Sequence, residues 1–188
     1  MRLAIFGGTF DPIHNAHLAV AREAAGRFHL DRVLFIPAAH PPHKAQGAHA
    51  SYEDRVCMAE LATADDPRFR VSRLEEGAAR SYSIDTIGKA RAEIAPEDEL
   101  FFIIGADAFA EIQTWRRWRE VARAVRFIVV SRPNSLYDPP AEVTFDRLDS
   151  LNLEISSSEI RRQLAEGGRP AALPPPVLDY ICRRGLYR

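Results

Sequence analysis

Cysteine is nearly absent from this sequence: 188 residues carry two, Cys57 and Cys182, far apart. Two such thiols do not make a disulfide framework, so a reducing, cytoplasmic setting is expected. Cys57 lies in the apolar stretch 56–59 and is expected as a small buried side chain. An excess of either charge is also absent. Lys+Arg number 25 and Asp+Glu 26, a net charge of −1, which removes any bulk electrostatic case for a nucleic-acid or membrane partner. No apolar run approaches the ~20 residues that span a bilayer. The apolar start at 3–6 breaks at Gly7-Gly8, too short for the apolar region of a secretory leader. Internal repeats, heptads and low-complexity tracts are missing as well. The remaining composition, 46 % hydrophobic and 27 % charged, suits an ordinary globular chain, and a single domain over residues 1–188 is expected.

What is present is a two-beat rhythm. Short apolar runs at 3–6, 32–36, 69–72, 100–104 and 125–130 read as strands. Helical patterns at 15–28, 52–64, 83–94, 157–166 and 174–184 separate or follow them, with Asn15 as a possible cap of the first. Strands apolar on both faces, alternating with helices, predict an α/β fold: a Rossmann-like doubly wound parallel sheet with helices on both faces and a small C-terminal helical part. The stretch 133–153 reads as a loop-rich insertion with a weak strand signal near 143–145. Ligands of such a sheet sit beyond the carboxyl ends of its strands, so the segments that follow the strands are the places to look.

The first strand leads into Gly7-Gly8-Thr9-Phe10-Asp11-Pro12-Ile13-His14-Asn15-Ala16-His17. Paired glycines let backbone N–H groups approach a ligand, and a helix start adds a positive dipole end. His14 and His17, three apart, share a helix face. Two imidazoles there suit polyphosphate oxygens, as donors and, when protonated, as charges. Neither G-x-G-x-x-G nor a Walker loop is present. His40-Pro41-Pro42-His43 repeats the His-x-x-His spacing, but two prolines deny that pair a helical face and no thiolate accompanies it, which disfavours zinc. Late in the chain, Ser156-Ser157-Ser158-Glu159-Ile160-Arg161 has capping-box spacing between Ser156 and Glu159. It reads either as a well-capped helix or as an anion site of N–H groups, hydroxyls and Arg161.

Together these motifs resemble the nucleotidyltransferase superfamily with the (T/H)xGH signature. Three intermediate motifs narrow the resemblance to bacterial nicotinate-nucleotide adenylyltransferases: Pro41-Pro42-His43-Lys44, Tyr82-Ser83-Ile84-Asp85-Thr86, and Ile104-Gly105-Ala106-Asp107-Ala108-Phe109 with Thr114-Trp115. The closing Gly185-Leu186-Tyr187 matches too. The chain departs from the family pattern at Ala16, usually glycine, at Ala38-Ala39, where an asparagine often stands, and at Arg116, often histidine.

The resemblance implies adenylyl transfer from ATP to nicotinate mononucleotide, with Mg²⁺ carried on the triphosphate and no protein metal ligands. It implies ATP contacts from Gly7, Gly8, Thr9 and Phe10, from the catalytic pair His14 and His17, from Gly105 and Asp107, and from Ser157, Ser158 and Arg161. For the acceptor it implies Trp115 on the pyridine ring, Asp107 near ribose hydroxyls, Lys44 near the phosphate, and backbone N–H groups of the Thr86 region for the nicotinate carboxylate. A homo-oligomer is possible; no nucleic-acid or membrane partner is expected. The nearest alternative acceptors are nicotinamide mononucleotide and phosphopantetheine, the latter opposed by the segments around Trp115 and 82–86. A non-catalytic nucleotide-binding module is opposed by the presence of both histidines. An RNA-binding reading of Trp115-Arg116-Arg117-Trp118-Arg119 is weaker than an amphipathic helix with a solvated arginine face.

Overall fold

The structure is a computed structural model and describes residues 1–40, 48–131, 140–149 and 155–188. Among the described residues six parallel strands, β1 (Arg2–Gly8), β2 (Arg32–Pro37), β3 (Phe69–Val71), β4 (Glu99–Gly105), β5 (Arg126–Ser131) and β6 (Phe145–Asp149), lie in the order β3-β2-β1-β4-β5-β6. The helices are α1 (Asn15–Arg27), α2 (Tyr52–Thr63), α3 (Ser83–Ala92), α4 (Ala106–Ala110), α5 (Trp118–Ala124), α6 (Ser157–Ala165) and α7 (Pro175–Arg184).

The apolar strands sort their side chains by parity, as the pleat requires. Ala4, Val33, Phe35, Phe101, Ile103, Ile128 and Val130 face one layer, built from α1, α2, α6 and α7. Leu3, Ile5, Leu34, Ile36, Leu100, Phe102, Phe127 and Val129 face the other, built from α3, α4 and α5. The expected doubly wound sheet is therefore observed. Chain order reverses between β1 and β4, which makes that boundary the switch point where ligands of such sheets bind.

The structure corrects the sequence reading in several places. Residues 145–149, inside the expected insertion, pair in parallel with β5 as a sixth strand. Only Leu148 of this strand is buried. Asp146, Arg147 and Asp149 put charge along an edge, so no apolar run marks it. The Trp115–Arg119 stretch is not one helix: Arg117 sits in the left-handed region (φ 55) and α5 starts after it. Both tryptophans pack on the second layer. Cys57 is half-buried, Cys182 is exposed, and both are free.

Candidate active site

Gly7 and Gly8 end β1, and Ile104 and Gly105 end β4. Between them opens a cavity of 490 Å³, also lined by Thr9, Thr86 and Trp115. The two glycines differ in what they permit. A Cβ at Gly7 would touch Phe102 at an ordinary 3.9 Å, whereas one at Gly8 would strike the Phe10 ring at 2.9 Å. Phe10 is 2 % exposed and cannot swing away. Its own backbone is left-handed (φ 49).

The chain then crosses to α1 through a loop held from outside. Arg55, from α2, donates to the Thr9 carbonyl at 2.7 Å. Arg161, from α6, donates to the Asp11 carbonyl at 2.7 Å, and the Ser157 hydroxyl donates to the Pro12 carbonyl at 3.0 Å. The Asp11 carboxylate, 1 % exposed, accepts from the N–H groups of His49 (2.8 Å) and Ala50 (3.1 Å) and from the Tyr187 hydroxyl (2.8 Å). Burial pushes its pKa up, but these hydrogen bonds outweigh burial and hold the carboxyl below its usual range.

His14, rather than the expected Asn15, is the N-cap of α1. Its N–H donates to Nδ1 of His17 at 3.2 Å, so the neutral His17 ring carries its hydrogen on Nε2, which has no acceptor among the described residues. The two imidazoles stack with centroids 3.8 Å apart, and the Phe10 ring meets His17 edge-on at 5.1 Å. Burial lowers the His14 pKa to about 4. Burial, then the neighbouring His14, takes His17 well below its ordinary value. Both rings are therefore neutral near pH 7, so of the two roles the sequence left open, donor and charge, the unliganded fold supports the donor. Nδ1 of His14 is buried without a partner.

At the start of α6 the Ser156 side chain caps the Glu159 N–H at 3.2 Å, as expected. Arg161 also donates to Ser158 Oγ at 3.1 Å, so Ser157, Ser158 and Arg161 form one cluster against the loop.

On the opposite side Trp115 packs edge-on against Phe102, centroids 6.0 Å apart. The Thr86 hydroxyl donates to buried Glu75 at 2.8 Å, while the Thr86 N–H is already bonded within α3 to the Tyr82 carbonyl at 3.2 Å. Within the Thr86 region, the N–H groups at this helix start without an acceptor among the described residues are those of Ser83 and Ile84. Arg116 lies over the Tyr82 ring, 4.8 Å from its centroid, and both residues also line an adjoining open cavity of 1060 Å³. Asp107 is in the first turn of α4, whose N-cap is Gly105. Lys44, with Pro41, Pro42 and His43, lies outside the described residues.

Six expected residues thus meet in the cleft: Gly7, Gly8, Thr9, Gly105, Thr86 and Trp115. Ser157 and Arg161, with Ser158 on Arg161, bond the loop, and the His14–His17 pair follows it at the start of α1. Arg55, Glu75 and His49 carry no motif signal and were not legible in the sequence. Asp11, Tyr187 and Arg116 stood in the motifs without an assigned role. Among the described residues no three His, Cys, Asp or Glu side chains are grouped to hold a metal ion, and no helix is long and apolar enough to cross a membrane.

The cytidylyltransferase-like family model matches residues 5–163. A Solibacter usitatus protein named "Probable nicotinate-nucleotide adenylyltransferase" is 72 % identical over 187 residues, covering 100 % of both chains. A Thermus thermophilus protein of the same name is 46 % identical over 191 residues, again covering 100 % of both. Among solved structures, Plasmodium falciparum nicotinic acid mononucleotide adenylyltransferase complexed with NaAD superposes with a TM-score of 0.81 at 21 % identity, covering 99 % of this chain and 97 % of that one. That likeness speaks for the fold, and the full-length identities speak for the family. With a switch-point cleft opening beside a histidine pair, the chain belongs to the nicotinate-nucleotide adenylyltransferases.

Proposed function

We infer that the cleft and the histidine cluster, as one domain over residues 1–188, carry out the reaction of the family. A phosphate oxygen of nicotinate mononucleotide attacks the α-phosphorus of ATP, the bond to the β-phosphate oxygen breaks, and deamido-NAD and pyrophosphate leave. The attacking monoester has a second pKa of about 6 and is already largely dianionic near neutral pH, so no general base is needed. The work is alignment of two anions and stabilisation of the charge that develops.

The observation that carries this reading is the stacked, neutral His14–His17 pair at the start of α1, with the His17 Nε2–H unclaimed. His17 donates to the α-phosphate in the transition state, and His14 steadies it from the cap position. Gly7, Gly8, Thr9 and Phe10 offer backbone to the nucleotide, while Gly105 and Asp107 border its ribose. Ser157, Ser158 and Arg161 stand at the β- and γ-phosphates. Their bonds to the loop carbonyls and to one another mean that they also set the loop's position. Trp115 stacks on the pyridine ring, Asp107 borders the acceptor ribose and Lys44 approaches the acceptor phosphate. The Ser83 and Ile84 N–H groups, beside Thr86, receive the nicotinate carboxylate. Magnesium belongs to this scheme as the counter-ion of the ATP substrate; the described residues build no ligand set for it, and no step is assigned to it.

The test is ATP-dependent pyrophosphate release with nicotinate and nicotinamide mononucleotides side by side. The acid should be strongly preferred, because the amide brings an NH₂ donor to face backbone donors, leaving polar groups unpaired at roughly 1–3 kcal/mol each. Equal kcat/KM for the two acceptors would overturn the acceptor assignment; no release with either would overturn the reaction.

A further inference from the structure

The cluster assigned to catalysis does not stand alone. The loop joining β1 to α1 is closed by a residue 176 positions away, Tyr187, whose hydroxyl reaches the buried Asp11 carboxylate at 2.8 Å. The sequence builds this contact in steps. Gly185, left-handed at φ 64, ends α7. The N–H of Leu186 returns to the Ile181 carbonyl at 3.1 Å, the pairing of a Schellman turn. Leu186 and Tyr187 then fold back against the first core layer. Tyr187 is itself left-handed, at φ 60, a conformation costly for a side-chain-bearing residue and kept only where surrounding contacts impose it. The helix that presents it is fixed to α2 by a separate contact, the Tyr180 hydroxyl on Asp54 at 2.8 Å.

The loop responds to these braces through peptide geometry. In a trans peptide the C=O and the next N–H point opposite ways. Drawing the Thr9 and Pro12 carbonyls toward Arg55 and Ser157 therefore turns the Phe10 and Ile13 N–H groups away from those braces. Neither N–H has an acceptor among the described residues. Asp11 lies between the two, and its carboxylate ties the loop to the segment before α2 and to Tyr187.

We propose that Tyr187 is a positioning residue for ATP: by holding Asp11 it keeps the Phe10 and Ile13 N–H groups, and the histidine pair that follows, in register with the triphosphate. This rests on the donor-site reading above. Tyr187 touches no reacting atom; it acts through Asp11.

The molecule supplies its own control. Tyr180→Phe removes a phenol–carboxylate bond of the same kind and length, made from within α7 rather than from the turn that follows it, and one that does not reach the loop. Both Tyr187→Phe and Tyr180→Phe should lower the melting temperature modestly. Tyr187→Phe alone should raise KM for ATP about tenfold, the scale of one lost hydrogen bond to a charged group, with KM for nicotinate mononucleotide within twofold of wild type. Asp11→Asn, which keeps the side chain's shape, should reproduce the effect on ATP. The double variant Asp11→Asn/Tyr187→Phe should be little worse than the poorer single one. Matching kinetic profiles for Tyr187→Phe and Tyr180→Phe, or equal rises in both KM values, would make Tyr187 merely structural and overturn the proposal. So would additive effects in the double variant. A wild-type chain without ATP-dependent pyrophosphate release would overturn the donor-site reading itself, an outcome distinct from an active enzyme that ignores Tyr187→Phe.

Discussion

The two sides of the cleft are built differently. On the donor side, the braces on the 9–13 loop come from positions 46, 145 and 150 residues away, and each of these bonds is part-buried. On the acceptor rim, contacts are looser and nearer in sequence. Arg80 reaches the Tyr82 hydroxyl at 3.3 Å across two residues, Arg116 rests on the Tyr82 ring, and Trp115 leans on Phe102. The contrast suits the proposed chemistry. In that scheme charge develops on the phosphates, where fixed dipoles are most effective because they need no reorganisation, and the acceptor ring is recognised by stacking, which tolerates small shifts of a side chain.

The comparison is broken hardest at His17. His17→Ala should lower kcat on the order of 10²–10³-fold, the usual effect of losing one preorganised donor, while circular dichroism and melting stay near wild type. Turnover within a few-fold of wild type would remove His17 from the mechanism. Next comes the paired-glycine test. Gly8→Ala drives a methyl into the Phe10 ring and should destabilise the fold by about 1–3 kcal/mol, with a matching loss of activity. Gly7→Ala meets only ordinary contact and should melt close to wild type. Equal melting of the two variants would show that the Phe10 packing is not what demands glycine.

Acid should probe the same side. The unfolded His14 side chain titrates near 6.5 and the folded one at about 4, so between those values the unfolded chain binds the extra proton. Stability is complete above pH 6.5 and falls as pH drops toward about 4, by on the order of 3 kcal/mol from this group. Urea unfolding across that range measures the slope; His14→Asn should flatten it, and an unchanged slope would refute the assignment. The smallest effect belongs to the rim. Arg116→Ala should raise KM for nicotinate mononucleotide only about two- to fivefold, the worth of an exposed cation on a ring, and leave KM for ATP alone. A larger change in the ATP value would mean that the two sides are not separable.

The same contrast explains what the sequence could disclose. β1, β2, β4 and β5 read as apolar runs because both faces of each are buried, and β3, with only Phe69 fully buried, was still bounded to within one residue. β6 escaped because a charged edge needs one buried residue, Leu148, and no more. The Gly-Gly loop and the two histidines are contiguous and so could be read as one string. Arg55 could not: a buried arginine in the first turn of a helix looks like any exposed one until the loop carbonyl it serves is in place. Tyr187 was legible as a motif letter but not as a partner of Asp11, since no spacing rule connects residues 176 apart. The charge state of the histidines was left open for a related reason, because burial by Phe10 and the neighbouring ring is a property of packing.

Because His14 and His17 fold as neutral rings with proton affinities far below the ordinary imidazole value, a polyphosphate meets them as dipoles and takes up no hydrogen ions through them. At pH 8, where the nucleotide is itself fully ionised, ATP should therefore bind with a heat that does not depend on the ionisation enthalpy of the buffer chosen. Calorimetry in two buffers at that pH counts any protons directly, and a buffer-dependent heat would mean that the rings become charged with ATP in place.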